Sequence, residues 1–243
     1  MFKPKKQQQK TSCSDSGFTI LESLVALLVA AILLAAIAPV LVISTATRVQ
    51  ARRVELASQA AKTFIDGIRS GAIAAPSQTI SISASTESNA RRVTSVTVPT
   101  SVTGKPGDYL VKSTTDDSVT KMALPTSATG LYCFTRAGTI TTTDCTNKSF
   151  EYYIQAARIA VTGSSANDGY RLAIRVYRAD VDFTKTRTAS TGETNKKTQN
   201  PYTGGLGDRQ SPLLEMTTDI ANTSTSFNAL CQRLGVATNK GCS

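Results

Sequence analysis

From Leu24 to Ile43 no position carries a charge and every residue is apolar. A run of about 20 such residues is long enough to cross a bilayer as a helix. The pattern then changes without breaking. Val54, Ala57, Ala61, Phe64, Ile65 and Ile68 recur at helical spacing, while Glu55, Lys62, Asp66 and Arg69 fall on the other side. That is one apolar stripe on a polar helix. Ser70-Gly71 supplies a stop, and Pro76 follows it. The pattern predicts one helix over residues 18–70, a rod of roughly 80 Å at 1.5 Å per residue. Its first half belongs in lipid or among like helices. Its second half offers one face to a folded domain. Ala30, Ala31, Ala35, Ala36 and Ala38 allow close helix approach, and Pro39 allows local bending.

After residue 71 the period shifts to two. Thr79–Ile82, Val93–Val98 and Tyr109–Lys112 read as short strands in a Ser/Thr-rich stretch punctuated by Pro99, Gly104-Lys105-Pro106-Gly107 and Pro125. Leu131–Thr135 and Thr139–Thr143 flank a turn at Arg136-Ala137-Gly138. Phe150–Val161 and Tyr170–Ala179 flank a second at Thr162–Gly169. In the last of these strands Tyr170, Leu172, Ile174 and Val176 share one face. Arg171, Ala173, Arg175 and Tyr177 share the other, so the strand reads as half-buried, with one wet face. Residues 184–211 are polar and predict a long exposed loop. Leu213–Met216 reads as an edge strand, and Ser226–Leu234 as a short helix closed by Gly235. The fold class is α+β: a long N-terminal helix, then an antiparallel β-sheet head.

One acid interrupts the apolar N-terminus. Glu22 sits at the edge of the run, in Ser16-Gly17-Phe18-Thr19-Ile20-Leu21-Glu22. A charge at the bilayer centre costs about 2.5–3.5 kcal/mol even on lenient scales, so such residues mark function. If the chain were cut after Gly17, Phe18 would carry a new ammonium four residues from the Glu22 carboxylate. The two could neutralise each other within or between subunits.

Gly17 followed by this sequence and an apolar helix resembles the N-terminus of type IV prepilins and pseudopilins. The resemblance is tight from Ser16 to about Arg53. It implies a leader of residues 1–17, cleaved by a prepilin peptidase between Gly17 and Phe18, with Phe18 then N-methylated. It implies that Glu22 is the assembly carboxylate, and that Pro39 is the helix-loosening proline many pilins share. The domains are then the leader (1–17), the helix (18–71, membrane span about 24–43) and an extracytoplasmic head (72–243). The stretch Thr47–Ala57 narrows the likeness to pseudopilins of hormogonium polysaccharide secretion in filamentous cyanobacteria. The implied protein is a structural subunit, a pseudopilin or minor pilin. Its filament, type IV pilus-like or type II secretion-like, would support polysaccharide secretion or surface motility. Its partners are membrane lipid before assembly, an inner-membrane assembly platform and other pilins or pseudopilins. The subunit would start in the inner membrane, N-terminus cytoplasmic, and end in a filament in the periplasm or at the surface.

A plainer reading is a secretory signal with a small-x-small site at Ala36-Ile37-Ala38. Pro39 directly after that site, the length of the apolar run and the presence of Glu22 weigh against it. An uncleaved signal anchor is the surviving alternative. Cys13 precedes the apolar run, which does not suit a lipoprotein. Lys3, Lys5, Lys6 and Lys10 fit a cytoplasmic flank. Arg48, Arg52 and Arg53 lie beyond the span, either facing headgroups and solvent or pairing with acids on neighbouring subunits.

Composition narrows the head. The chain has 27 basic and 17 acidic residues; removing four Lys and one Asp with residues 1–17 leaves 23 and 16, net +7. Without histidine, a Ser-His-Asp or Cys-His nucleophile is excluded. No Walker-type phosphate loop occurs. The chain reads as a non-enzyme without a cofactor or metal. Asp180 and Asp182 are the carboxylates best spaced for calcium, and a solvated strand end is the plain reading of them. Cys133, Cys145, Cys231 and Cys242 allow three pairings. Short loops favour Cys133–Cys145 and Cys231–Cys242, and disulfides imply an oxidising compartment. Arg171, Arg175 and Arg178 lie near Tyr153, Tyr170 and Tyr177. They are the candidate contact for an anionic polymer, DNA or acidic polysaccharide, against a mixed-charge solvated face. An adhesin with a basic head is therefore the second functional reading.

Overall fold

The computed structural model describes residues 19–82, 84, 122–141, 145, 150–188, 190, 197–199 and 207–234. The leader, the strands expected at Val93–Val98 and Tyr109–Lys112, Cys242 and the end of the hairpin strand beyond Thr141 lie outside them. The chain divides into two compact units, Met1–Thr45 and Ala46–Ser243.

Helix α1 spans Ile20–Arg69, Pro39 included. It ends where the sequence changes chemistry. Gly71 takes φ +76°, which glycine adopts without a Cβ penalty. Its N–H donates to Ile68 O at 3.1 Å, and Ile73 N–H donates to Gly67 O at 2.9 Å. These bonds satisfy carbonyls that the helix end leaves over.

In the larger unit the strands are β1 (Thr79–Ile82), β2 (Tyr132–Thr135), β3 (Ile140–Thr141), β4 (Phe150–Val161), β5 (Tyr170–Arg178) and β6 (Leu214–Ile220), with helix α2 (Phe227–Leu234) last. The order is β3-β2-β4-β5-β6, antiparallel at each step, as the alternation of turns and period-two runs predicts. One pairing departs from it. β1 joins β4 in parallel, Thr79 opposite Arg158 to Ile82 opposite Val161. The reason is length. β2 occupies β4 only from Phe150 to Ile154, so the remainder of that edge is open to a second strand.

One sheet face packs on α1. Ala57, Ala60, Ala61, Phe64, Ile65 and Ile68 meet Phe134, Tyr152, Ile154, Leu172, Ile174 and Val176 in one cluster. The Phe64 and Tyr132 rings lie 4.6 Å apart. Burying side chains of this size stabilises by about 1.5–3 kcal/mol each. The small alanines let the helix sit close to the sheet.

The other face is not wet, which corrects the period-two reading of β5. Ala173, Arg175 and Tyr177 are all fully buried. Two further clusters cover them: Ile80, Ile82 and Met122 with Ala157, Ile159, Val161 and Ala173, and Leu131, Cys133 and Val181 with Tyr153 and Tyr177. Besides Ile80 and Ile82 of β1, the cover comes from Met122, Leu131 and Val181, which lie outside the strands in segments without a strand period. The polar stretch 184–211 is likewise not simply an exposed loop. Ser190, Gln199 and Ser211 are buried, and Gln199 accepts from Gln50 Nε2 on α1 at 2.7 Å.

Candidate functional site

The N-terminal segment of α1 is built from its cap outward. Thr19 precedes the first helical residue. Its side-chain Oγ1 accepts from Glu22 N–H at 3.2 Å, and its carbonyl accepts from Ser23 N–H at 3.1 Å. Thr19-Ile20-Leu21-Glu22 has the Thr-x-x-Glu order of a capping box. A carboxylate in the first turn also suits the positive end of the helix dipole, by about 0.3–1 kcal/mol where exposed. Glu22 therefore has a local structural role available to it. The capping part of that role asks only for a hydrogen-bonding side chain, which glutamine also supplies.

The rest of the segment has no such local explanation. Every residue from Thr19 to Thr45 is exposed. Ile20 is 87 % exposed and Leu34 68 %. The helix is the one among the described residues long and apolar enough to cross a membrane, with a mean hydropathy of 3.0 in its richest window. Leaving that many Leu, Ile and Val side chains in water forgoes on the order of tens of kcal/mol. The surface demands lipid or other apolar helices. Pro39 removes one backbone donor within it, and Thr45 Oγ1 donates back to Leu41 O and Val42 O at 3.0 Å each. Gly17 and Phe18 lie outside the described residues. Arg52 pairs with Glu55 of its own helix at 2.8 Å, Arg53 accepts at its carbonyl from Tyr152 OH at 3.4 Å, and Arg48 is exposed.

In the head, Cys133 and Cys145 form a disulfide, with Cα atoms 5.7 Å apart. Cys231 lies on α2, and Cys242 is outside the described residues. The three arginines of β5 do not make one polymer-binding patch. Arg171 and Arg175 project to one face of the strand and Arg178 to the other, as period two requires. Arg175 is wholly buried. Its Nε donates to Glu215 at 3.2 Å, directly opposite on β6, and Nη1 donates to Met122 O at 2.6 Å and Gln155 Oε1 at 3.3 Å. Arg178, with a side chain 11 % exposed, donates to both Asp180 oxygens at 2.8 and 2.6 Å. An arginine whose guanidinium is inside the protein cannot greet a polymer, so the Arg171–Arg175–Arg178 contact is corrected.

Asp180 is thus an ion-pair partner. Asp182 accepts from the N–H and hydroxyl of Thr184, which holds its carboxyl below the usual carboxylate range. Among the described residues no three His, Cys, Asp or Glu side chains gather as a metal site.

Sequence reasoning missed the polar core around Arg175. Glu215 also accepts from the Ser190 hydroxyl and, at 3.5 Å, from its N–H, so β5, β6 and the segment at Ser190 converge on one ion pair. Burial pushes the Tyr177 hydroxyl beside it up to about 12. A signal was present. β4 reads Tyr152-Tyr153-Ile154-Gln155-Ala156-Ala157-Arg158-Ile159-Ala160-Val161, near-continuously apolar, which is how a strand covered on both faces reads.

A family described as the prokaryotic N-terminal methylation motif matches residues 13–38. The match spans Gly17, Phe18 and Glu22 and ends just before Pro39. It is consistent with a type IV pilin-like protein, a structural class of subunit that a prepilin peptidase processes and that assembles with other pilins. No curated protein and no solved structure matches the chain.

Proposed function

We propose that the chain is a pseudopilin or minor pilin of a type IV pilus-like or type II secretion-like filament. A prepilin peptidase cuts between Gly17 and Phe18, and the new N-terminus of Phe18 is methylated. The subunit waits in the inner membrane with its head outside the cytoplasm. An assembly platform then moves it into a filament, where α1 trades lipid for the helices of neighbours and Pro39 lets it adjust. Glu22 pairs with the Phe18 ammonium of an adjoining subunit. In the head, Cys231 and Cys242 form a second bridge. The filament serves polysaccharide secretion or surface motility.

The observation that carries this reading is an apolar helical surface that no other described residue covers, with one acid in its first turn, inside the methylation motif. Removing one partner of a buried ion pair costs about 3–5 kcal/mol, because the other stays buried and unpaired. The capping role and the charge role separate by substitution. Glu22→Gln keeps a capping side chain and loses the charge. The expected result is that Glu22→Gln and Glu22→Ala both mature normally, to a methylated Phe18 seen by mass spectrometry, and both fail to enter filaments. Normal incorporation of Glu22→Gln would leave only the cap, and the pairing would be wrong. An N-terminus at Pro39, or an intact residue 1–38 segment, would overturn the filament assignment itself.

A further inference from the structure

Gln50 is wholly buried, although it follows Ile43, where the apolar run ends, by only seven residues. Two parts of the head cover it. Its Nε2 donates to Gln199 Oε1 at 2.7 Å, and a Cβ on Gly207 would come within 3.1 Å of the same nitrogen and 2.6 Å of Gln199 Oε1. Gln199 is itself fixed: its N–H donates to Pro212 O at 2.9 Å and its Nε2 to Ser211 O at 2.9 Å. All of these residues belong to the larger unit. They seat Gln199 and Gly207 on the first turns that α1 contributes to it.

The charges around this junction are one-sided in sign. Lys197 and Arg209 are exposed, and each is two residues from it, so their Cα atoms lie within about 7 Å of those of Gln199 and Gly207. Arg48 and Arg52 are each two residues from Gln50, about 200° round the helix, and leave α1 on its exposed side. From Arg48 to Glu55, and within two residues of Gln199 or Gly207, the described residues hold five cations: Arg48, Arg52, Arg53, Lys197 and Arg209. The carboxylates there are Glu55 and Asp208. Glu55 is paired with Arg52, and Asp208 accepts from Gln210 N–H at 2.9 Å and the Ser211 hydroxyl at 2.7 Å. Asp182 is in electrostatic reach of Arg209 and also has Lys185 at 3.8 Å, so it does not reverse the balance.

Chain connectivity supplies the partner. Arg48 follows Ile43 by five residues, which keeps it within about 17 Å of the apolar run at any chain geometry. A surface of anionic lipids attracts Lys and Arg near it, with a reach of about 10 Å at ordinary ionic strength. We infer that this base of the head docks on anionic lipid headgroups, with Arg48 and Arg52 meeting phosphate on one side of α1 and Lys197 and Arg209 on the other. The inference rests on the proposed membrane span. It is independent of Glu22 and of filament assembly.

The test reconstitutes the full chain in phosphatidylcholine vesicles, with and without phosphatidylglycerol, and follows acetylation of Lys197 by a reagent that does not cross the bilayer. Lys62, exposed on α1 twelve residues past Gln50, is the internal reference, so vesicle sidedness and surface pH cancel in the ratio. Relative to Lys62, Lys197 is expected to react about fivefold more slowly once phosphatidylglycerol is present, the scale of one cation held at an anionic surface. High salt is expected to restore the rate. Arg48→Gln combined with Arg209→Gln is expected to lose most of the protection and, since both side chains are exposed, to leave head unfolding in detergent unchanged. Three results each overturn the inference: Lys197 reacts at one rate in both lipids (a low one meaning that a second copy covers it), the double variant is protected like the parent, or salt leaves the protection intact. A chain that carbonate strips from the vesicles sinks the proposed span and the inference with it, whereas a retained chain without lipid dependence sinks the inference alone.

Discussion

Leu24–Ile43 and Val54–Ile68 belong to the same helix, yet they solve opposite problems. The first stretch is apolar all round and every side chain is exposed. The second carries a single stripe, and Ala57, Ala60, Ala61 and Phe64 on it are completely buried. A helical period says that a helix forms; the width of its apolar surface says what must cover it. In the second stretch this chain's own sheet does. In the first, nothing among the described residues does. Matched truncations test that division. Phe64→Ala is expected to cost the head about 3–5 kcal/mol, as large aromatic truncations in cores do. Leu34→Ala is expected to leave head unfolding unchanged in detergent and to lower filament yield. Equal denaturation shifts in the two variants would erase the distinction.

The sheet repeats the contrast between its faces. The α1 face is held by hydrocarbon, and the opposite face includes a buried ion pair. Arg175→Ala is expected to cost nearly as much as Phe64→Ala, about 3–5 kcal/mol, because Glu215 would stay buried without its partner. Arg175→Met combined with Glu215→Leu is expected to recover most of that loss, since a well-packed apolar pair often replaces a buried ionic one without penalty. Chemical denaturation of the single and double variants separates the two effects. If the double variant is no better than Arg175→Ala, the pair is holding the Met122 segment through its hydrogen bonds rather than merely neutralising charge.

The same face should fail first in alkali. Tyr177 titrates near 10 when unfolded and near 12 when folded, because burial opposes the phenolate. Between those values the unfolded chain has lost a proton that the folded chain keeps, so stability falls as pH rises. The full span is worth about 2–3 kcal/mol, and it is intact below pH 10. Burial raises Tyr132, Tyr152, Tyr153 and Tyr170 in the same direction. Tyr177→Phe is expected to flatten, not abolish, the loss of denaturation midpoint on going from pH 8 to about 11.5. An unchanged slope would mean that the Tyr177 hydroxyl reaches water.

What could be read in advance was whatever has a period or a fixed local chemistry. The two characters of α1, the β4–β5 hairpin, β6, α2 and the Cys133–Cys145 bridge all follow from spacing, and Glu22 stood out because charge is costly in lipid. What could not be read was set by partners far away in the chain. Gln50 is an unremarkable polar residue until Gln199 meets it. Arg175 alternates like a solvent-facing residue until Met122 and Leu131 close over its face. The parallel β1–β4 pairing depends on how much of β4 its other neighbour leaves open. Period two reports which residues share a face, and it is silent on whether anything covers that face.

The smallest effect concerns the third side of α1, which neither half of the comparison uses. Arg52 and Glu55 pair there at 2.8 Å with both side chains mostly exposed. Solvent and salt screen such a pair, and Arg preceding Glu is the weaker order along a helix. Glu55→Gln is therefore expected to change head stability by at most about 0.5 kcal/mol. That makes it a clean probe of the filament. If filament yield also stays constant, Arg52 and its neighbour Arg48 are solvated. If yield falls while the head melts as before, the charges on this side of the helix meet another subunit. Raising salt should then reproduce the loss in the parent chain, since exposed pairs are screened within about 10 Å at ordinary ionic strength.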